Sequence, residues 1–267
     1  MTRALAGGEV RSRRAAAVTG RNLIVFRAGG FYMWLVIVGF IEPALYLVAM
    51  GWGLGALVGG IHLPDGRTVP YPVFLAPAML AASAMNGALA EATINFFVKL
   101  RYRRLYDAVL NTPVTAQEIA VGEMGWALAR AGLYAAPFLA VMVALGLTTP
   151  LRALAALPAA LLAALAFGSL GVAISTFMRG MQDFEYLGVV QFAMFLFSGT
   201  FVPVERFPPA LREVVLATPL YHAVALVRGI TLERPGWDLA VHAGVLVLVA
   251  LAGLAVAGRR MRRLLTS

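Results

Sequence analysis

Polar and apolar positions along this chain fall into long blocks rather than short alternations. Charges bracket apolar runs of 22 residues between Glu42 and Asp65, 23 between Arg67 and Glu91, 21 between Arg130 and Arg152, and 26 between Arg152 and Arg179. Two more follow, 19 residues between Glu185 and Glu205 and 20 between Asp238 and Arg259. About 20 apolar residues in a helix cross the hydrocarbon core of a bilayer, so each run has the length of a membrane span. The first span starts near Phe31 and carries Glu42 inside it. The pattern predicts six transmembrane helices, at 31–58, 70–96, 121–147, 153–177, 185–202 and 239–258. A membrane barrel would instead alternate over segments of about ten residues. The expected fold class is an all-α integral membrane protein, with an N-terminal segment 1–30, a transmembrane domain 31–258 and a basic tail 259–267.

Composition agrees with this division. Hydrophobic residues make up 61% of the 267 positions and charged residues 13%, where a soluble domain carries about a quarter charged. That excludes an ordinary water-soluble domain and excludes disorder. The net charge of +9 suits a membrane surface better than nucleic acid in so apolar a chain. There is no cysteine, which excludes disulfides, thiolate metal sites and cysteine nucleophiles.

The basic residues also give an orientation. With six spans both termini share a side, and 15 Lys and Arg then fall on the side of the termini against 6 on the other, with Arg130 inside a span. The positive-inside rule places the termini in the cytoplasm of a multi-pass protein of the cell inner membrane. The basic region before the first span is about 27 residues long, which does not suit a cleaved signal peptide. It reads equally as an interfacial helix with its arginines at the headgroups or as a basic tail up to about Ala17.

Two segments outside the spans carry a pattern of their own. In the link after span two, Tyr102, Leu105, Tyr106, Val109 and Leu110 recur at helical spacing, with Arg101, Arg103, Arg104 and Asp107 opposite them. Asn111-Thr112-Pro113 ends that helix, and Thr115 with Glu118 forms a capping box that starts the next. Such a helix either lies on anionic lipid or docks a cytoplasmic partner. Before span six, Val202 to Trp237 holds five prolines, and its longest charge-free run, Val214 to Val227, has 14 residues, too few to span. A break at Pro219 leaves two half-length helices, which can dip into the membrane and return if protein or water covers their ends.

Candidate chemistry is sparse. The sole lysine, Lys99, lies between Val98 and Leu100, so no Walker A loop exists in the chain. His62, His222 and His242 are scattered, and no serine sits in a nucleophile frame. Glu42, Glu91 and Arg130 are charges that fall well inside predicted spans. Such charges are costly in lipid and point to function. Glu91 and Arg130 lie at matching depth, roughly 10 Å from the cytoplasmic side at 1.5 Å per residue, which suggests a pair between adjacent helices. Glycines at 51, 53, 55, 168 and 171 offer places for close helix contact.

Three stretches resemble type-2 ABC exporter permeases. They are Ser198-Gly199-Thr200 with Pro203, Pro219-Leu220-Tyr221-His222 and Arg228; Glu42 to Leu47 followed by Gly51 to Gly55; and Leu110 to Thr115 with Glu118-Ile119. The similarity runs from about Arg21 to Arg263 and is greatest to the branch of nodulation-factor (lipooligosaccharide) export and drug-resistance permeases. It implies six spans, a coupling helix at Arg101 to Leu110 and an outer re-entrant unit at Thr200 to Arg228. It also implies a separate cytoplasmic ABC ATPase that binds the ATP and magnesium, with this chain binding no cofactor and hydrolysing nothing itself. The permease would pair as a homodimer, or with a related permease, and move an amphipathic cargo outward: lipid-linked glycan, lipooligosaccharide or hydrophobic drug. From the residues alone, an ion-gradient-driven secondary transporter, an enzyme acting on lipid-linked sugars and a membrane anchor for an ATPase are the rivals.

Overall fold

The computed structural model describes residues 2–28, 41, 44–63, 66–102, 105–232 and 236–266. In chain order the helices are α1 (Thr2–Ala28), α2 (Ala44–Val58), α3 (Tyr71–Leu100), α4 (Leu105–Leu110), α5 (Ala116–Ala144), α6 (Pro150–Ser175), α7 (Asp183–Leu196), α8 (Pro209–Leu216), α9 (Pro219–Leu232) and α10 (Trp237–Thr266). Two short antiparallel strands, β1 (Gly60–His62) and β2 (Thr68–Pro70), join α2 to α3, with Ile61 opposite Val69.

Among the described residues, α3, α5, α6 and α10 are long and apolar enough to cross a membrane. They correspond to the second, third, fourth and sixth predicted spans. The second half of the first span is α2, while Glu42 and Pro43 lie outside the described residues. The predicted fifth span, 185–202, is a helix only over Asp183–Leu196. Its 14 residues rise about 21 Å, short of the roughly 30 Å hydrocarbon core. The helix ends where Gly199, at φ +72°, turns the chain.

Local chemistry sets the boundaries. Thr115 accepts a hydrogen bond from Glu118 N, and the Glu118 carboxylate accepts one from Thr115 N at 2.8 Å, so the expected capping box starts α5. Thr149 caps α6, with Pro150 in its first turn, where a missing N–H costs nothing. Pro70 precedes α3, and Pro72 occupies its first turn. Turns at Asn111–Pro113 end α4, as the proline predicts.

Packing follows burial. α3 is the most enclosed span, and α6 lies against it, while α10 is mostly exposed and forms an outer wall. The main apolar core joins α3, α5, α6 and α9 through side chains such as Leu75, Met85, Phe138, Phe167 and Val227. A second, smaller core at the basic end gathers Phe96, Tyr106, Ile119, Met124 and Met261. Glycine also permits close approach between the spans. A Cβ at Gly171 would come within 2.9 Å of Ala92, and one at Gly253 within 2.7 to 2.9 Å of the Ser169 and Leu170 backbone. α6 therefore meets α3 and α10 at close approach, as small residues permit in membrane helices.

Of the two readings of the N-terminal segment, the structure has a helix. α1 packs on the start of α5: Thr19 Oγ1 donates to Gly122 O at 2.7 Å, and Ala15 and Val18 are buried. Gly122 and Gly125 leave room for it, since a Cβ at either would sit 2.6 to 2.8 Å from α1 atoms. α10 continues through Arg259 to Thr266.

Candidate functional site

Two polar groupings stand out at opposite ends of the bundle. The first, at the basic end, is built where α3 departs from regular α geometry. A π-helical turn spans Glu91–Asn95. Such turns often mark functional positions because the extra residue re-aims neighbouring side chains. Glu91 is 5% exposed. Its carboxylate accepts hydrogen bonds from Asn95 Nδ2 at 2.6 Å, from Trp126 Nε1 at 2.9 Å and from Arg130 Nη1. Lys99 Nζ lies 3.6 Å away on the same helix. Glu91 and Arg130, expected at equal depth, are thus paired across α3 and α5.

The network extends further than the spacing indicated. Lys99 Nζ donates to Glu123 Oε2 at 2.7 Å, and Arg21 of α1 lies 3.5 Å from the other Glu123 oxygen. Asn22 accepts from both Arg21 and Lys99, at 2.9 and 3.4 Å. Three elements are therefore joined through two buried carboxylates, each facing two cations. Buried charges persist only when paired and hydrogen-bonded, and these are. Glu123, Trp126 and Asn22 were missed because the search took only charges deep inside spans: Glu123 stands at the third position of the predicted third span, Asn22 lies before the first span, and neither Asn22 nor Trp126 is charged.

The link helix needs a correction. Tyr102, Leu105, Tyr106 and Val109 form the stripe expected to face a partner. Tyr102 is 64% exposed, but Tyr106 is completely buried. The Tyr106 ring lies against Phe96, at 5.4 Å between centroids, and Val109 packs on the same core. A second π-helical turn, at Val98–Tyr102, runs past the predicted end of the span and precedes α4. Burial and then the adjacent Glu123 carboxylate push the Tyr106 phenol well above its usual ionisation range. The backbone of Arg101 belongs to this turn and that of Leu110 to α4, whereas Arg103 and Arg104 lie outside the described residues.

The second grouping lies at the hairpin end, where α8 and α9 meet at 80° across Ala217-Thr218. Pro219 starts α9, and Thr218 Oγ1 accepts from Tyr221 N at 3.3 Å. Arg228 donates to Gly199 O at 2.9 Å, and its guanidinium lies 3.8 Å over the Phe74 ring. Ser198 and Thr200, both fully buried, share a 2.8 Å hydroxyl contact. Arg67 and Arg152 donate to the Leu232 and Thr231 carbonyls at 2.9 and 3.0 Å, so cations meet the C-terminal end of α9. The predicted residues Ser198, Gly199, Pro203, Pro219, His222 and Arg228 thus surround one turn. Pro203, Gly199 and Arg228 line a cavity of about 350 Å³ with Tyr221, Glu205 and Asp238. His222 is joined there by His242 of α10, Nδ1 to Nδ1 at 2.8 Å. Sequence reasoning missed His242 and Phe74, which are distant in the chain and belong to no motif.

A third feature is a cavity of about 330 Å³ bounded by α2, α3, α5 and α7. Tyr46, Met79, Phe138 and Phe195 line it beside an amide pair in which Gln191 Nε2 donates to Asn86 Oδ1 at 2.7 Å. Among the described residues there is no group of three or more His, Asp or Glu that could hold a metal ion.

Apolar helices long enough to span, with a helix pair bent by 80° between two of them, define a polytopic membrane protein. The sequence model of the family described as ABC-2 type transporter matches residues 15–232. Nodulation protein J of Rhizobium leguminosarum bv. viciae is 32% identical over 248 residues, covering 92% of this chain and 93% of that protein. Nodulation protein J of Rhizobium leguminosarum bv. trifolii is 34% identical over 246 residues, covering 92% and 90%. That of Rhizobium meliloti (strain 1021) is 33% identical over 223 residues, covering 83% of each. The chain belongs to the ABC-2 type transporter family, as a membrane permease.

Proposed function

We propose that this chain is the transmembrane subunit of an ABC exporter, driven by a separate cytoplasmic ATPase and moving an amphipathic cargo outward. The observation that carries this reading is the ion network below α3. It joins the end of α3, through Lys99, to Glu123, the Glu91–Arg130 pair and α1, and the buried Tyr106 of the link packs against that same end. A push on the link would thereby reach three helices at once. In this reading the basic end is cytoplasmic, Tyr102 contacts the ATPase, and Tyr106 transmits rather than docks. Glu91 and Glu123 each face two cations within this network.

The cavity of Tyr46, Phe138 and Phe195 with the Asn86–Gln191 amides pairs apolar walls with a polar strip. That combination suits a lipid-linked glycan, a lipooligosaccharide or a hydrophobic drug, carried between two permease copies. ATP and magnesium would reside on the partner subunit, and this chain would act without chemistry of its own in the inner membrane.

The test is reconstitution in vesicles with and without the ATPase. Uphill cargo movement should require both proteins and ATP. Sustained uphill flux by this chain alone would defeat the proposal. Tyr102→Ala should weaken co-purification of the ATPase, whereas Tyr106→Phe should leave assembly intact.

A further inference from the structure

We propose that the groove between α5 and α10 at the basic end is a binding site for one anionic phospholipid. The groove encloses about 400 Å³. Ala120 and Val121 of α5 form one wall, Leu254 and Ala255 of α10 the other, and Gly258 leaves the space between them open. Arg259 and Arg262 stand at its mouth. They are three residues apart on one helix, which places them on one face. Arg262 Nε donates to Gly258 O at 3.4 Å, which draws that guanidinium back over the groove.

Depth fixes the occupant. The 20 charge-free residues between Asp238 and Arg259 rise about 30 Å, the thickness of the hydrocarbon core. With Asp238 at one membrane surface, Arg259 and Arg262 therefore lie at the headgroup level of the other. The apolar walls lie one to two turns deeper, where an acyl chain runs. One chain fits between the walls and the phosphodiester meets the two guanidiniums, which hold phosphate oxygens by paired N–H donors. Basic pockets between membrane helices select anionic headgroups in this way. Arginines that merely reach the surface would show attraction to negative charge without any dependence on the groove. The site stands apart from cargo and ATPase, and its test uses neither.

The full chain is purified in detergent and offered phosphatidylglycerol or phosphatidylcholine with matched acyl chains. Retained lipid is counted by native mass spectrometry, and the lipid-dependent rise in melting temperature is recorded. Phosphatidylglycerol should be retained and phosphatidylcholine lost. Arg259→Gln with Arg262→Gln should weaken phosphatidylglycerol retention about tenfold or more. Ala255→Phe, or Val121→Trp, fills the groove at an exposed position and leaves both arginines in place. Either should weaken retention to a similar extent. Arg179→Gln with Arg263→Gln removes the same charge from outside the groove and should change retention less than about twofold. Glycerol 3-phosphate, which has the headgroup chemistry without the chains, should not compete. Equal losses in both charge-pair variants, full retention in the groove-filled variants, competition by glycerol 3-phosphate, or equal retention of both lipids would each overturn the proposal.

Discussion

Glu91 is the residue on which the basic end turns. Its carboxylate, 5% exposed, accepts from a tryptophan, an asparagine and an arginine. Removing one member of such a buried pair leaves an uncompensated charge and costs roughly 3–5 kcal/mol, nearer the lower end here because the Arg130 side chain is 28% exposed. Glu91→Gln and Arg130→Gln should each destabilise the protein, and the double variant should be no worse than either alone. A denaturation cycle over the four forms measures this, and additive losses would show that the pair is not coupled. Tyr106 gives a second expectation. Its phenol is pushed upward by burial and by Glu123, so it stays neutral in the fold while the unfolded chain ionises near pH 10. The folded state then binds the extra proton above that pH, and stability falls as pH rises through and beyond 10. The Tyr106→Phe protein should lose less stability between pH 9 and 11, read by thermal melting.

At the scale of elements, the close helix contacts are as decisive as the charges. The Gly253 site has no flexible neighbour to yield, since the atoms within 3 Å of a new Cβ are the Ser169 and Leu170 backbone. Gly253→Leu should separate α6 from α10 and lower yield and melting temperature sharply, while Gly244→Leu, with open space around it, should be tolerated. These contacts were only half legible in sequence. Gly168 and Gly171 stood out beside an alanine-rich run, but Gly253 looks like any other membrane glycine until its partner helix is placed. Charge-free runs located the long spans to within a few residues, because the length of a span is set by the bilayer. For the fifth, the run includes residues 197–202, which are apolar yet form a turn, and hydropathy does not distinguish buried turn from helix. The link helix was legible in period but not in direction: its apolar stripe faces the chain's own core at Tyr106 as well as outward at Tyr102. The halves of the Arg228 site were legible as motifs, whereas His242 and Phe74 enter through tertiary packing alone.

For the whole molecule, the N-terminal helix is an integral wall rather than an appendage. α1 reaches the buried network through Arg21 and Asn22 and is seated on α5 at Gly122 and Gly125. Gly122→Leu would push a side chain into the Ala15 carbonyl and Val18. It should expose α1 to protease while α3, α6 and α10 keep their packing, and disulfide mapping between α6 and α10 can confirm that the rest is intact. If α1 carries motion from the link to the spans, the same change should lower cargo movement per ATP hydrolysed more than it lowers hydrolysis itself.

The shortness of α7 has a consequence for the lipid around the molecule. Its 14 residues rise about 21 Å before the chain turns at Ser198 to Thr200. Irregular backbone at that depth is tolerated only where protein covers it, and the complete burial of Ser198 and Thr200 supplies the cover. If α7 faces lipid, acyl chains on this flank would meet a helix about 9 Å shorter than the hydrocarbon core is thick, and leaflets thin to match such a step. A two-tailed molecule beside such a flank would then have a shorter distance to cross between leaflets than one beside the full-length pillars.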